Sequence, residues 1–231
     1  VSAADILNAR RGEAFVALMR FEVERAQSYY DKALAALPAA QGFHTGGLAL
    51  VPPDGATTVG LLRTFGALGI VRTVDVNMRP TIAHALGVDE KAYRAAAFEA
   101  IREADIVKVS DEDLLHLGLG GDPVAAAASL LAGERSIVVL TLGERGSWAL
   151  TRTLRRQLPA IPVQPVDTVG AGDCFFAGFV ASLLGDDPKA INAPVEAAAL
   201  DQALRVATAC AAFTVARAGC QPPGLAEVPR R

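Results

Sequence analysis

The chain has few of the residues from which stapled, metal-bound or nucleic-acid-binding proteins are built. Its 231 residues include three cysteines, three histidines and one tryptophan. Cys174, Cys210 and Cys220 follow no metal-ligand spacing and no even disulfide framework, so they are expected as small core thiols in a reducing cytoplasm. His44, His84 and His116 have no partner at ligand spacing and read as structural or surface residues. The basic pairs Arg155-Arg156 and Arg230-Arg231 are too short for a phosphate-backbone footprint. With a net charge of −3, they argue against a nucleic-acid partner. No apolar stretch reaches the ~18 residues of a membrane span, and no signal-peptide pattern opens the chain. Gly-x-x-x-x-Gly-Lys-Ser/Thr, His-Glu-x-x-His and Gly-x-Ser-x-Gly are missing, which excludes Walker-type phosphate binding and the common zinc and serine hydrolase sites. No Gly-x-Gly-x-x-Gly follows the first strand, which argues against a nicotinamide oxidoreductase.

What is present is a chain 52% hydrophobic and 20% charged, enough to bury the core of one α/β domain spanning residues 1–231. The sequence begins at Val1 with a polar, irregular segment, so an N-terminally incomplete domain is the expectation. Helix-like and strand-like segments alternate, which predicts a mostly parallel sheet with helices on both faces. Helices are expected over Phe21 to Leu37, Thr57 to Leu68, Glu90 to Ala104, Asp111 to Leu117, Pro123 to Leu131, Ala171 to Leu184 and Val195 to Arg217. Strands are expected over Gly42 to Leu50, Val71 to Val76, Ile106 to Val109 and Ser136 to Leu142. Ser147 to Leu150 and Leu154 to Leu158 read as a hairpin, and a polar loop runs through Asp186-Asp187-Pro188. Gly46-Gly47, Asn77, Ser110, Thr141 and Gly143 fall at carboxyl ends of predicted strands, the edge where open parallel sheets bind ligands.

The densest motif is Asp167-Thr168-Val169-Gly170-Ala171-Gly172-Asp173. Gly170 to Gly172 offer almost no side chain, so backbone amides can close on an anion at the start of a long apolar helix whose dipole favours negative charge. The same turn serves as a compact strand-to-helix connection with Asp173 as a favourable first-turn acid. A carboxylate beside a bound phosphate repels it unless the carboxylate takes a proton from an attacking hydroxyl. Asp75-Val76-Asn77-Met78-Arg79 places three polar groups on alternate positions, hence on one strand face if the strand continues. Alone it is equally a strand exit with an Asx turn and a surface Arg. Lys108-Val109-Ser110-Asp111-Glu112-Asp113 reads as a strand end, an N-cap Ser and an acidic first helical turn. Thr141-Leu142-Gly143-Glu144-Arg145-Gly146 puts two glycines at bends after a buried strand.

Together these motifs resemble those of the ribokinase-like (PfkB-type) carbohydrate kinases, whose signature Asp-Thr-x-Gly-Ala-Gly-Asp is matched at 167–173. Asp75-x-Asn77-x-Arg79-Pro80 and Lys108-x-Ser110 are similar to the fructokinase members. The resemblance covers residues 41–225, with 1–40 poorly matched. It implies a ribokinase-like fold with a C-terminal hairpin, the family's β lid being missing from this chain. It also implies an ATP-dependent kinase that transfers the γ-phosphoryl group to a sugar hydroxyl, fructose first, with 2-keto-3-deoxygluconate kinase or ribokinase activity, or an inactive nucleotide-binding remnant, as alternatives. The implied base is Asp173, with Gly170, Ala171 and Gly172 holding the transferring group and Asn77 and Arg79 near sugar or phosphate. Ser110, Thr141, Gly143, Gly146, Thr208 and Gly219 lie at the implied nucleotide site. The family has Asn-x-x-Glu where this chain has Ser110 and Asp113, so Asp113 is the implied Mg2+ residue, through water. Asp167 and Val169 are candidates for a K+ site. The implied partners are a sugar and ATP, with a homodimer if the full protein has a lid.

Overall fold

Short β-branched runs build the sheet, and acids or hydroxyls at their ends start the helices. The structure, a computed structural model, describes residues 42–133, 136–185, 191, 193–224 and 226–228. The expected helix over Phe21 to Leu37, the loop through Asp186-Asp187-Pro188 and the Arg230-Arg231 pair lie outside the described residues. The strands are β1 (Gly42–Gly46), β2 (Val71–Asp75), β3 (Ile106–Ser110), β4 (Ile137–Thr141), β5 (Ser147–Leu150) and β6 (Arg155–Leu158). The helices are α1 (Asp54–Ala67), α2 (Pro80–Ala85), α3 (Glu90–Glu103), α4 (Asp111–His116), α5 (Pro123–Ala128), α6 (Ala171–Leu184) and α7 (Ala197–Val215). Local chemistry sets several starts. Asp89 accepts from the Lys91 amide to open α3, and Asp122 accepts from Ala125 with Pro123 behind it to open α5. Ser110 and Asp113 form a reciprocal capping box at α4.

The strands pair in chain order, β1-β2-β3-β4-β5-β6. β1 to β4 are parallel, and the last two pairings are antiparallel. Two reversals therefore return β6 to the direction of β4, and its carboxyl end reaches the same edge as those of the parallel strands. From there residues 159–170 run back to the start of α6. Alternating side chains split the core into two layers. Val74, Val107, Val109, Val138 and Leu140 pack with Leu62, Tyr93, Ala97 and Leu114 on the face of α1, α3 and α4. Val71, Ile106, Ile137 and Val139 pack with Phe175, Phe176, Phe179, Leu200 and Leu204 of α6 and α7. Among the described residues, no helix is long and apolar enough to cross a membrane.

Three expectations need correcting. The first strand stops at Gly46, and Gly47–Leu50 is a 3-10 turn, because Gly46 and Gly47 both take positive φ. β2 stops at Asp75, and Asn77 takes φ 35°, so Asp75, Asn77 and Arg79 do not continue one strand face. Cys174 and Cys210 are buried, but Cys220 is exposed rather than a core thiol.

A Cβ at Gly178 of α6 would lie 2.9 Å from Cys210 Sγ and 3.2 Å from Ala207 Cα of α7. Gly178→Val is therefore expected to lower stability by about 1–3 kcal/mol through overpacking, read as a lower urea midpoint at unchanged m-value.

Candidate active site

The layer beneath α6 changes from apolar to polar as the strands approach their carboxyl ends. Val71, Ile106 and Ile137 form its dry end. Next comes His44, whose Nδ1 lies 2.9 Å from Thr73 Oγ1 and whose ring meets Phe176 edge-on at 5.6 Å. Then follows a registered row of Gly46, Asp75 and Lys108. Lys108 Nζ donates to both oxygens of Asp75, each at 2.9 Å. The two side chains are only 7% and 6% exposed. Burial pushes the Asp75 carboxyl up to about 6 against the pull of Lys108, and the charges of Asp113 and Asp173 push the same way. Desolvation likewise lowers the His44 imidazole, with Asp173 opposing and Lys108 adding to the shift. His44 thus belongs to the site rather than to bland surface.

Helix α6 starts directly over this row. Gly170, at φ 78°, is its N-cap. A Cβ on Gly172 would stand 3.1 Å from Lys108 Nζ. The Ala171 amide donates to Thr168 O at 3.2 Å and the Cys174 amide to Gly170 O at 2.9 Å, while the Gly172 and Asp173 amides have no backbone acceptor outside the helix among the described residues. These are the orphan donors every helix start presents. Ala171 therefore supplies a small side chain to the turn rather than a free amide. Asp173, in the first turn, is exposed. Its charge acts on Asp75 and His44.

The other expected residues hold this floor in place. Asp113 is 3% exposed. Its carboxylate accepts from the Met78 amide at 2.7 Å and from the Ser110 amide and hydroxyl, both at 2.9 Å. It thereby ties the β2 exit carrying Asn77 to the start of α4. The Arg79 amide donates to Tyr93 Oη at 3.1 Å, and Tyr93 donates to Gly47 O at 3.3 Å. The Arg79 side chain is exposed and donates to Met78 O. Thr141 pairs in register with Ser110, and its hydroxyl donates to Val109 O at 3.4 Å. Asp167 accepts from the Val169 amide at 3.0 Å and the Gly219 amide at 2.9 Å, and these bonds hold its carboxyl below the ordinary range. The carbonyls of Asp167 and Val169 accept no backbone hydrogen bond among the described residues.

Not every candidate joins the site. A Cβ on Gly146 would stand 2.2 Å from Leu158 O, so this glycine lets the 143–146 turn close on β6, whereas a Cβ on Gly143 would meet nothing. Thr208 is buried in α7 with its hydroxyl unpartnered. Among the described residues, no group of three His, Cys, Asp or Glu could hold a metal. Asp113 already accepts three hydrogen bonds, which leaves about one acceptor site of its carboxylate for a donor such as water.

The sequence reading missed the Asp75–Lys108 pair and the Tyr93 brace. The signal for the pair was a lysine in the middle of the buried strand Ile106–Ser110 and an acid ending Val71–Asp75.

A profile described as pfkB family carbohydrate kinase matches residues 20–227. The chain belongs to this family. A Rhizobium leguminosarum bv. trifolii fructokinase is 38% identical over 148 residues, 64% of this chain and 44% of the relative. A rice fructokinase-2 is 30% identical over 182 residues, 78% of this chain and 52% of the relative. The chain spans about half the length of these curated relatives. Among solved structures, a Salmonella enterica aminoimidazole riboside kinase bound to aminoimidazole riboside and an ATP analog superposes with TM-score 0.65 at 23% identity, covering 84% of this chain and 62% of that one. A Vibrio cholerae O395 fructokinase bound to fructose, ADP and calcium gives TM-score 0.63 at 24% identity, covering 81% and 59%. These two likenesses establish the ribokinase-like fold of this pfkB chain.

An acid whose folded-state pKa lies above its unfolded value contributes stability that is complete at low pH. That contribution is lost as pH rises, here from about 4 through about 6 for Asp75. Lys108→Met strands the carboxylate and raises its pKa further. The variant is expected to cost about 3–5 kcal/mol at about pH 8 and distinctly less at about pH 5, where Asp75 takes up a proton. Urea unfolding at both pH values checks this, and equal costs would show that Asp75 is not the titrating group.

Proposed function

We propose that this pfkB chain carries the phosphoryl-transfer centre of an ATP-dependent sugar kinase acting on fructose. The observation that carries the reading is the contrast at α6. Asp75, Asp113 and Asp167 are all held by donors, while Asp173 stands exposed in the first turn, beside the Gly172 amide and its own. A carboxylate so placed is a base, and the adjacent amides are fixed donors for a developing negative charge.

ATP, as the second substrate, supplies the γ-phosphoryl group. Asp173 accepts the proton of the sugar hydroxyl as that oxygen bonds to phosphorus and the bond from phosphorus to the bridging oxygen of ADP breaks. The Gly172 and Asp173 amides, with Gly170 keeping the turn open, hold charge on the transferring group. Because such transition states are loose, positioning provides most of the acceleration. Asn77 and Arg79, on the exit braced by Asp113 and Tyr93, are assigned to the sugar or its phosphate, Arg79 through its planar fork. Ser110, Thr141, Gly143 and Gly219 are assigned to the nucleotide. Asp113, which already accepts three hydrogen bonds, is assigned to Mg2+ through water, and the metal would offset negative charge on the phosphates. The carbonyls of Asp167 and Val169, which accept no backbone hydrogen bond among the described residues, are compatible with a monovalent cation such as K+. Fructose is favoured by the fructokinase relatives and by Asp75-x-Asn77-x-Arg79-Pro80, and a cytoplasmic location is consistent with those relatives.

Asp173→Asn in the complete polypeptide is expected to lower fructose-dependent ADP release by about 10²–10⁴-fold. Nucleotide affinity, measured by calorimetry, should stay within about threefold. A variant that keeps most of its turnover would remove Asp173 from the role of base.

A further inference from the structure

All three cysteines of the chain gather around the start of α6, although they are far apart in sequence. Cys174 is buried in the first turns of that helix, and its amide donates to Gly170 O at 2.9 Å. Cys220 lies in the loop after α7, and its sulfur rests on Gly170. A Cβ on Gly170 would stand 2.1 Å from Cys220 Sγ, so the missing side chain of the anion turn is the seat of this thiol. Cys174 is close enough for its sulfur to act on the Cys220 thiol, and both residues meet Gly170, one through its amide and the other through its sulfur. Asp167 fixes the geometry, since its carboxylate accepts from both Val169 in the turn and Gly219 in the loop. Cys210 packs with Cys174 and Val206 but is buried in α7. Only Cys220 is exposed.

We propose that Cys174 and Cys220 are a thiol–disulfide site that staples the loop after α7 to the anion turn of α6. The co-reactant is a low-molecular-weight disulfide of the glutathione type. The Cys220 thiolate attacks one of its sulfurs, forming a mixed disulfide and releasing one thiol. The Cys174 thiolate then attacks the Cys220 sulfur, forming the internal bond and releasing the second thiol. Two protein thiols lose two protons and two electrons, and the small disulfide is reduced to two thiols. Partial desolvation of its sulfur against Gly170, the neighbouring Cys174 sulfur and the charges of Asp173 and Asp167 hold the Cys220 thiol above the ordinary range. Exchange is therefore slow at neutral pH and accelerates as pH rises.

The staple would tie Cys174, the residue after Asp173, to the loop that follows α7, so oxidation is expected to slow turnover. This consequence rests on the proposed kinase reading, whereas the bond itself does not.

The test is incubation of the complete polypeptide with oxidised glutathione at about pH 7 and about pH 8.5, followed by intact mass, thiol titration and peptide mapping. The expected result is a loss of about 2 Da, titratable thiols at these positions falling from three to one, and a Cys174–Cys220 peptide that forms faster at the higher pH. Cys220→Ser and, separately, Cys174→Ala should each abolish that peptide. Stable glutathione adducts without an internal bond, or a Cys174–Cys210 peptide instead, would overturn the proposal. Oxidised protein is expected to lose about tenfold in turnover and recover it with dithiothreitol, with Cys220→Ser insensitive. If the reduced protein shows no turnover with any sugar, the kinase reading fails and the mass result still decides the thiol site.

Discussion

Asp75 and Lys108 sit on neighbouring parallel strands, side by side under a helix, with almost no access to water. Burying two charges rarely gains net stability over a well-packed apolar pair, whereas removing either partner is costly. The value of this pair is geometric. It makes the carboxyl end of the α6 face polar, and it favours glycine at position 172, where a Cβ would stand 3.1 Å from Lys108 Nζ. It thus bears on how closely the start of α6 approaches the sheet, and with it on the place of the 167–173 turn and of Asp173. Gly46 completes the row for a steric reason, since a Cβ there would fall 1.8 Å from Asp75 O.

Four aspartates in this region show how environment differentiates one residue type. Asp75 is bound to a buried cation. Asp113 accepts three hydrogen bonds and ties a strand exit to a helix start. Asp167 joins the anion turn to the loop after α7. Asp173 faces solvent. Three carboxylates organise the floor and walls, and the fourth is the one proposed above as the base.

Much of this was legible in the sequence because it is local. Strands β3 and β4 were visible as β-branched runs, the Ser110 cap as capping chemistry, and the 167–173 turn as a string of small residues before an apolar helix. What was not legible depends on register or on distant packing. Lys108 and Asp75 are 33 residues apart, and only the pairing of β2 with β3 makes them partners. Tyr93 looks like any apolar position on α3 until its hydroxyl is found joining Gly47 to Arg79. The six-residue helix Pro80–Ala85 is too short to show a period, and the left-handed Asn77 that ends β2 gives no signal in the residue pattern. Cys220 resembled a core thiol because the sequence does not reveal that Gly170 leaves it a seat at the surface.

The hairpin of β5 and β6 sets a rule of parity. Two reversals after β4 return the chain to the edge where β1 to β3 end, and β6 stands three strands from β3, about 14 Å away at ordinary strand spacing. Residues 159–170 need only bridge that gap to lay the head of α6 over Lys108. Had the chain made one reversal or three, the same motif would arrive at the opposite end of the sheet, facing apolar side chains. Strands can therefore be gained or lost here only in pairs. The turn at 151–154 sits at the far edge, which makes it the natural place to graft a label or a second domain without disturbing the charged row.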